Sequence, residues 1–353
     1  MATIRSLNRE DLPAVEALIR ANLPHWALNQ SILEATLLDH PWADEDLPSL
    51  VAVDPEDGAV VGFIGVQARR MCFDRQPIRG VCCSHLAVAP THRKGAAGAL
   101  LLGKVLNGPQ ELTWSDSATD AVARVWRRFG GHVDHARAAD FMLVLHPARW
   151  TRTILGALVR RERIGREVLP VGAFPVQAAG ERLSGRLATP RVPGVEGEDA
   201  DAETIAEHLP TIWAHMRARI DWDAGSLSHI FRQVEELNGP LIHRLVRRRG
   251  KPIGWYAYLP RPGGTSRLLH LGAVDKMVDA VFTDLVDHAG ALGSAVLAGR
   301  AEPHLARPLH GRHAVLGFAW QPVIRAADPE LAATMATSAS LLTRLGGELS
   351  PLH

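Results

Sequence analysis

The 353 residues predict an α/β (α+β) chain made of two related units, on three observations. Strand and helix signals alternate over residues 1–146 in the order βααβββαβαβ. A related order resumes after residue 201. Between the strand ending at Val88 and the helix reaching Leu102, the turn is built from small residues and positive charge, a composition with a chemical use.

Each element has a local reason. Thr3 to Leu7 is a strand candidate, and Asn8 with Glu10 and Asp11 then opens a helix with Leu12, Val15, Leu18 and Ile19 at helical spacing. A second helix is predicted over Ser31 to Asp39. Leu50 to Val53 and Ala59 to Val66 are strand runs joined by the turn Asp54 to Gly58, the second with room to extend through Cys72. Asp74 to Pro77 turns the chain into a long strand, Ile78 to Val88. Ala96 to Leu106 follows as a helix and Glu111 to Trp114 as a strand. Asp120 to Phe129 is a helix stopped by Gly130-Gly131, and Phe141 to Leu145 is the last strand.

Residues 147–200 read as a connector, basic and amphipathic from Trp150 to Arg166 and then broken by Pro and Gly. Beyond it lie helices at Glu203 to Arg219 and Ser226 to Leu237 and strands at Leu241 to Arg247, Ile253 to Leu259 and Ser266 to Ala273. The two halves share sequence as well as order. VVGFIGV (60–66) parallels PIGWYAY (252–258), and His85-Leu86-Ala87-Val88 parallels His270-Leu271-Gly272-Ala273. Separations of 192 residues for Gly62 to Gly254 and 185 for His85 to His270 fit one duplicated unit with altered loops. The expected division is 1–146, a connector over 147–200, and 201–353.

Composition bounds the partners. Lys+Arg 39 against Asp+Glu 38 leaves a net charge of +1, so no global field recruits nucleic acid or an anionic membrane, and neither is expected as a partner. No apolar run approaches the ~20 residues of a membrane span. The polar start MATIRSLNREDLP carries no apolar signal core. Three cysteines, two of them the adjacent Cys82 and Cys83, make no disulfide framework and no zinc spacing. The histidines lack metal-site spacing as well, so no metal is expected, and a cytoplasmic location is.

A pyrophosphate needs several backbone N–H donors around one concavity, a helix N-terminus behind them, and small residues that let the backbone approach. Arg93, Lys94, Gly95, Ala96, Ala97 and Gly98 offer that composition. In register, Val88, Pro90, Arg93, Ala96 and Gly98 resemble the signature Gln/Arg-x-x-Gly-x-Gly/Ala after Val-x-Pro of the GNAT superfamily of N-acyltransferases, with Ala96 where that family prefers glycine. The order of residues 1–146 is similar to the family throughout. The resemblance implies two GNAT-like domains, each a mixed, mainly antiparallel central sheet flanked by helices. It also implies acetyl-CoA or another acyl-CoA as cosubstrate and a small-molecule amine as acceptor.

The same resemblance places a bulge N–H for the thioester oxygen near Ala87, Val88 or Ala89 and a base a few residues earlier, where Cys83, Ser84 and His85 stand. His85 titrates nearest neutrality in its ordinary state, with a core role as the alternative. Asp116 and Asp120, at the end of the next strand, are rivals for the base or are helix caps. The family tyrosine that meets the departing thiolate is replaced by Trp126, which has no useful acidic proton. Tyr256 and Tyr258 read as packing residues. In the second half, Val274 to Met277 stands where the loop should be, with an aspartate and no glycine, so coenzyme binding is expected only in the first half. Two other readings stay open: a non-catalytic acyl-CoA sensor or scaffold, and an aminoacyl-tRNA-dependent transferase of similar tandem fold.

Overall fold

A computed structural model describes residues 2–23, 28–93, 95–147, 192–318 and 321–348. The first stretch forms β1 (Thr3–Ser6), α1 (Leu12–Asn22), α2 (Gln30–Leu37), β2 (Leu50–Val53), β3 (Val60–Phe73), β4 (Gln76–Val88), α3 (Ala97–Leu106), β5 (Leu112–Ser115), α4 (Asp120–Arg128), β6 (His132–Val133) and β7 (Ala139–Val144). The second forms β8 (Val195–Asp199), α5 (Ala202–Ile212), β9 (Ala218–Ile220), α6 (Ala224–Asn238), β10 (Ile242–Arg248), β11 (Lys251–Leu259) and β12 (Thr265–Ala273). It continues with α7 (Val278–Ala291), β13 (Val296–Arg300), α8 (Ala306–Gly311), β14 (Val315–Phe318), β15 (Val323–Ala326), α9 (Pro329–Met335) and β16 (Ser340–Leu341).

Local chemistry sets the helix ends. Asn29 accepts from the Ile32 N–H to cap α2, and Asp223 with Ser226 forms a capping box at α6. The helix expected to reach Arg219 stops at Ile212, because Pro210 removes a donor in its last turn. The chain then turns back, and β9 pairs antiparallel with Met71 to Phe73 of β3. Val195–Asp199, inside the expected connector, is a strand that pairs with β10. The basic segment Trp150 to Arg166 lies outside the described residues.

Both sheets are mixed and mainly antiparallel. The first has the order β1-β2-β3-β4-β5-β15-β6, with β9 joined to β3 and β16 to β9. The second has the order β14-β7-β13-β12-β11-β10-β8. Their paths match strand for strand when one is reversed, and in each the only parallel pair on the path joins the fourth and fifth strands, β4–β5 and β12–β13. One strand in each is traded: β7, from the first stretch, lies between β13 and β14, and β15, from the second, lies between β5 and β6. The boundaries expected at 146 and 201 therefore do not separate the sheets.

The repeat holds in atomic detail. Gly62 pairs with Val88 and Gly254 with Ala273. A Cβ on Gly62 would lie 3.1 Å from Leu101 of α3, and one on Gly254 2.6 Å from Val281 of α7. In both halves a helix crosses close behind the third strand at its glycine, tightly at Gly62 and with no room at Gly254. One apolar core spans the halves, with Trp42, Met71 and Trp114 beside Trp213, Trp222 and Trp255. Trp42 stacks on Trp222 with 5.1 Å between ring centroids. Separate cores fill the space between the first sheet and α3 and α4, and between the second sheet and α7. Tyr256 and Tyr258 belong to the last of these, their hydroxyls bonded to Asp284 and His288 of α7.

Candidate functional site

β4 and β5 stay together for three residue pairs, Gly80–Leu112, Val81–Thr113 and Cys82–Trp114. Beyond them β4 runs on to Val88 while β5 ends at Ser115, so a gap opens between the two strands. An irregularity in β4 sharpens the separation. Phe63 faces Ala87 and Gly65 faces Ser84, which leaves Ile64 opposite both His85 and Leu86. His85 takes the left-handed conformation, φ 55°, that this bulge demands. The bulge thus falls earlier than the Ala87 to Ala89 region expected for it. The N–H of Ala89 is already bonded to the Val61 carbonyl.

Burial changes the meaning of the residues expected to act as bases. His85 is 6% exposed, and burial pulls its imidazole down to about 3, so it stays neutral and is a poor proton acceptor near pH 7. Burial thus removes His85 from the base role expected for it. Its counterpart His270 is buried, stacked on Trp255 at 3.9 Å and bonded to the Thr343 hydroxyl at 2.8 Å. Ser84 is buried beside Gln67. Cys82 and Cys83 are buried free thiols whose pKa values burial raises, which keeps them unreactive. Trp126 is buried under Gly131 and offers no group to the gap.

After β4 the chain makes a 3-10 turn, Pro90–His92, and enters α3. The turn is braced on both sides: His92 meets Asp54 at 3.0 Å, and Arg93 donates to the Asn22 side chain at 2.6 Å. Ala96 precedes α3 in right-handed helical φ/ψ (−86°, −1°), where alanine is unstrained, and no side chain caps the helix start. The first N–H groups of a helix have no intrahelical partner, and those of Ala97 and Gly98 meet no side-chain cap, the chemistry that suits an anion. Gly95 and Ala96 are exposed, and a Cβ on Gly98 would come 3.3 Å from Val88. Lys94 lies outside the described residues. The turn after β12, Val274 to Met277, has no glycine and holds Asp275 instead.

At the other lip of the gap the C-terminal segment meets β5. Glu348 Oε1 accepts from the Ser115 hydroxyl at 2.5 Å and the Asp116 N–H at 2.9 Å, and Oε2 accepts from the Ser117 hydroxyl at 2.8 Å. Asp116, expected as a base or cap, is instead fixed: one oxygen accepts from Arg300 at 2.5 Å and the other from the Glu348 N–H at 3.0 Å. Asp120 starts α4 and accepts from Gln321, and Thr119 is the residue that caps the helix. No spacing in the sequence marks Glu348. The only local hint is Gly346-Gly347 just before it.

The environment of Glu348 lifts its carboxyl from the ordinary 4.5 to about 7, through burial first and the charge of Asp116 second. A raised carboxyl favours the protonated native state, so its contribution to stability is complete below about pH 4.5 and is lost as pH rises through 7. Wild type should therefore lose thermal stability relative to Glu348→Gln between about pH 5 and pH 8. Parallel melting curves for the two proteins across that range would refute the shift.

An open cleft of about 750 Å³ on the second sheet is lined by Ala139, Pro303, Ala306, Leu309 and Leu316. Its one carboxylate, Glu302, is already paired with Arg137 and Arg300, and we assign the cleft no chemistry. Among the described residues, no group of three or more His, Cys, Asp or Glu side chains is placed to hold a metal ion. None of the described helices is long and apolar enough to cross a membrane.

No protein-family model matches the sequence. No curated protein matches it either. Solved structures do resemble the chain along most of its length. One is a protein of unknown function from Enterococcus faecalis, a probable N-acyltransferase, at 11% identity over 92% of this chain and 73% of that one, with TM-score 0.58. GCN5-related N-acetyltransferases from Anabaena variabilis (10% identity, 93% and 73% coverage, TM-score 0.58) and Kribbella flavida (14%, 93% and 71%, 0.54) resemble it to the same degree. The chain therefore has the fold of the GCN5-related N-acetyltransferases, in tandem form.

Proposed function

We propose that the protein is an acyl-CoA-dependent N-acyltransferase, with acetyl as the default group and direct transfer to a small-molecule amine in a ternary complex. One observation carries the reading: two strands part beside an uncapped helix start, which gives a slot for a thioester arm next to a cradle for pyrophosphate. In this reading Arg93, Lys94, Gly95, Ala96, Ala97 and Gly98 hold the pyrophosphate, and Ala87 and Val88 flank the arm. The second half braces the sheet and the acceptor side. The shared fold with N-acetyltransferases supports the reaction class, and three free thiols agree with a cytoplasmic location.

Calorimetric titration with acetyl-CoA tests the proposal. Wild type should bind, and Gly98→Trp, whose indole would fill the cradle, should bind at least ~100-fold more weakly, a loss of about 2.7 kcal/mol. Equal affinity would put the coenzyme elsewhere. The buried positions of His85 and Trp126 favour the sensor as a second reading, and binding without turnover over a broad amine panel would select it.

A further inference from the structure

We infer that Glu348, carried to the end of β5 by the C-terminal segment, is the base that takes the proton from the acceptor amine; the inference rests on the acyltransferase reading above. Its carboxylate reaches the lip of the gap from 231 to 233 residues away along the chain. It accepts from three consecutive residues, Ser115, Asp116 and Ser117, at the point where β5 has parted from β4. The residue is partly exposed, whereas His85, the alternative, is enclosed.

The surroundings are built to hold this segment. Arg300 donates to the Leu342 carbonyl, Arg69 donates to the Gly346 carbonyl at 3.1 Å, and Asp116 accepts the Glu348 N–H at 3.0 Å. Gly347 has no room for a side chain, since a Cβ there would lie 1.7 Å from Asp116 Oδ2. Residues 342–348 are thus clamped from β3, β5 and β13, elements of both halves.

The groups that set its protonation are identifiable. Asp116, the residue after β5, raises the carboxyl, while the hydroxyls of Ser115 and Ser117 and the Asp116 N–H lower it. Arg300 of β13, Glu302 just beyond that strand and Arg69 of β3 stand behind Asp116 and Gly346, and Cys82 and Cys83 of β4 lie near enough for the charge of Glu348 to raise their thiols. A carboxyl that titrates close to neutrality is suited to general base work at cellular pH. The amine nitrogen forms a bond to the thioester carbon, the carbon–sulfur bond breaks, and the nitrogen's proton passes to Glu348. The departing thiolate takes one proton back, from that carboxyl or from water, so free thiol and amide leave together.

Glu348→Gln keeps the shape of the side chain and an oxygen for the Ser115 and Asp116 donors. With an accepted amine, we expect acetyl-CoA affinity within twofold of wild type, kcat lower by ~100-fold or more, and loss of the acid limb of the pH–rate profile near pH 7. An unaltered acid limb overturns the assignment. If Glu348→Gln fails to fold, Glu348→Asp must retain the limb at reduced kcat, and loss of the limb there counts against the base. Infrared titration of the wild-type protein gives a readout free of turnover: a carboxyl band titrating near pH 7 supports the assignment, and its absence overturns it. Wild type that fails to bind acetyl-CoA refutes the acyltransferase reading itself, a result distinct from all of these.

Discussion

Residues 1–146 expressed alone should fail to form a cooperatively folded protein. Without β15, nothing joins β5 to β6, because β6 pairs only with β15 among the described residues. At the same time β7 loses both neighbours, and its Phe141 and Leu143, 1% and 2% exposed in the whole chain, are stripped of cover. Uncovering each such side chain costs about 1.5–3 kcal/mol. Trp114 and Met71 face the shared core and lose the second half as well. Typical stabilities are only about 5–15 kcal/mol, so losses on this scale remove the native state. The fragment should show no sigmoidal thermal transition by circular dichroism, and adding residues 192–353 should restore one. A monomeric fragment that melts cooperatively by itself would contradict the traded strands.

Replacing Arg300 should have the next largest effect. Its guanidinium, 4% exposed, donates to Asp116 at 2.5 Å, to Glu302 at 2.6 Å and to the Leu342 carbonyl. Glu302 in turn accepts from Arg137, which also holds Asp134. Arg300→Met leaves the buried Asp116 carboxylate without its cation and Glu302 with Arg137 alone, and breaking a buried pair in this way costs about 3–5 kcal/mol. Urea unfolding should report that loss, and Arg300→Met with Asp116→Asn should recover part of it, since the two changes act on one interaction. A single-variant loss below about 1 kcal/mol would mean that the network gives no net stabilisation.

Much of the first unit was legible because its signals are local. The turn at Asp54 to Gly58, the apolar run of Val60 to Val66 in β3, and the small residues before α3 each declare themselves within a few positions. The match of Gly62 with Gly254 was legible because a close helix behind each favours the smallest residue at both places. What escaped is set by distance in space. β7 and β15 are apolar strands that would complete either sheet equally well, so nothing in their composition reveals the trade. Val195–Asp199 is charged and lies at the edge of its sheet, where no apolar face has to alternate. His85 drew attention through its ordinary pKa, and burial, which spacing does not report, cancels that advantage. Glu348 was invisible because its partners lie more than 230 residues away.

The trade of β7 for β15 also bears on origin. Two identical chains exchanging one strand each would form a closed homodimer, and joining such chains end to end in one gene would give this topology directly. Counted from the equivalent residues Leu112 and Val296, Asp116 and Arg300 occupy the same place in the two units, yet they touch. Equivalent residues in contact must lie at the symmetry axis. A homodimer has to place the same residue on both sides of that axis, so a charge there would meet its own sign. Only after fusion could the two copies diverge and set an aspartate against an arginine. In this protein that pair holds the segment bearing Glu348, so this asymmetric contact at the axis lies next to the proposed chemistry.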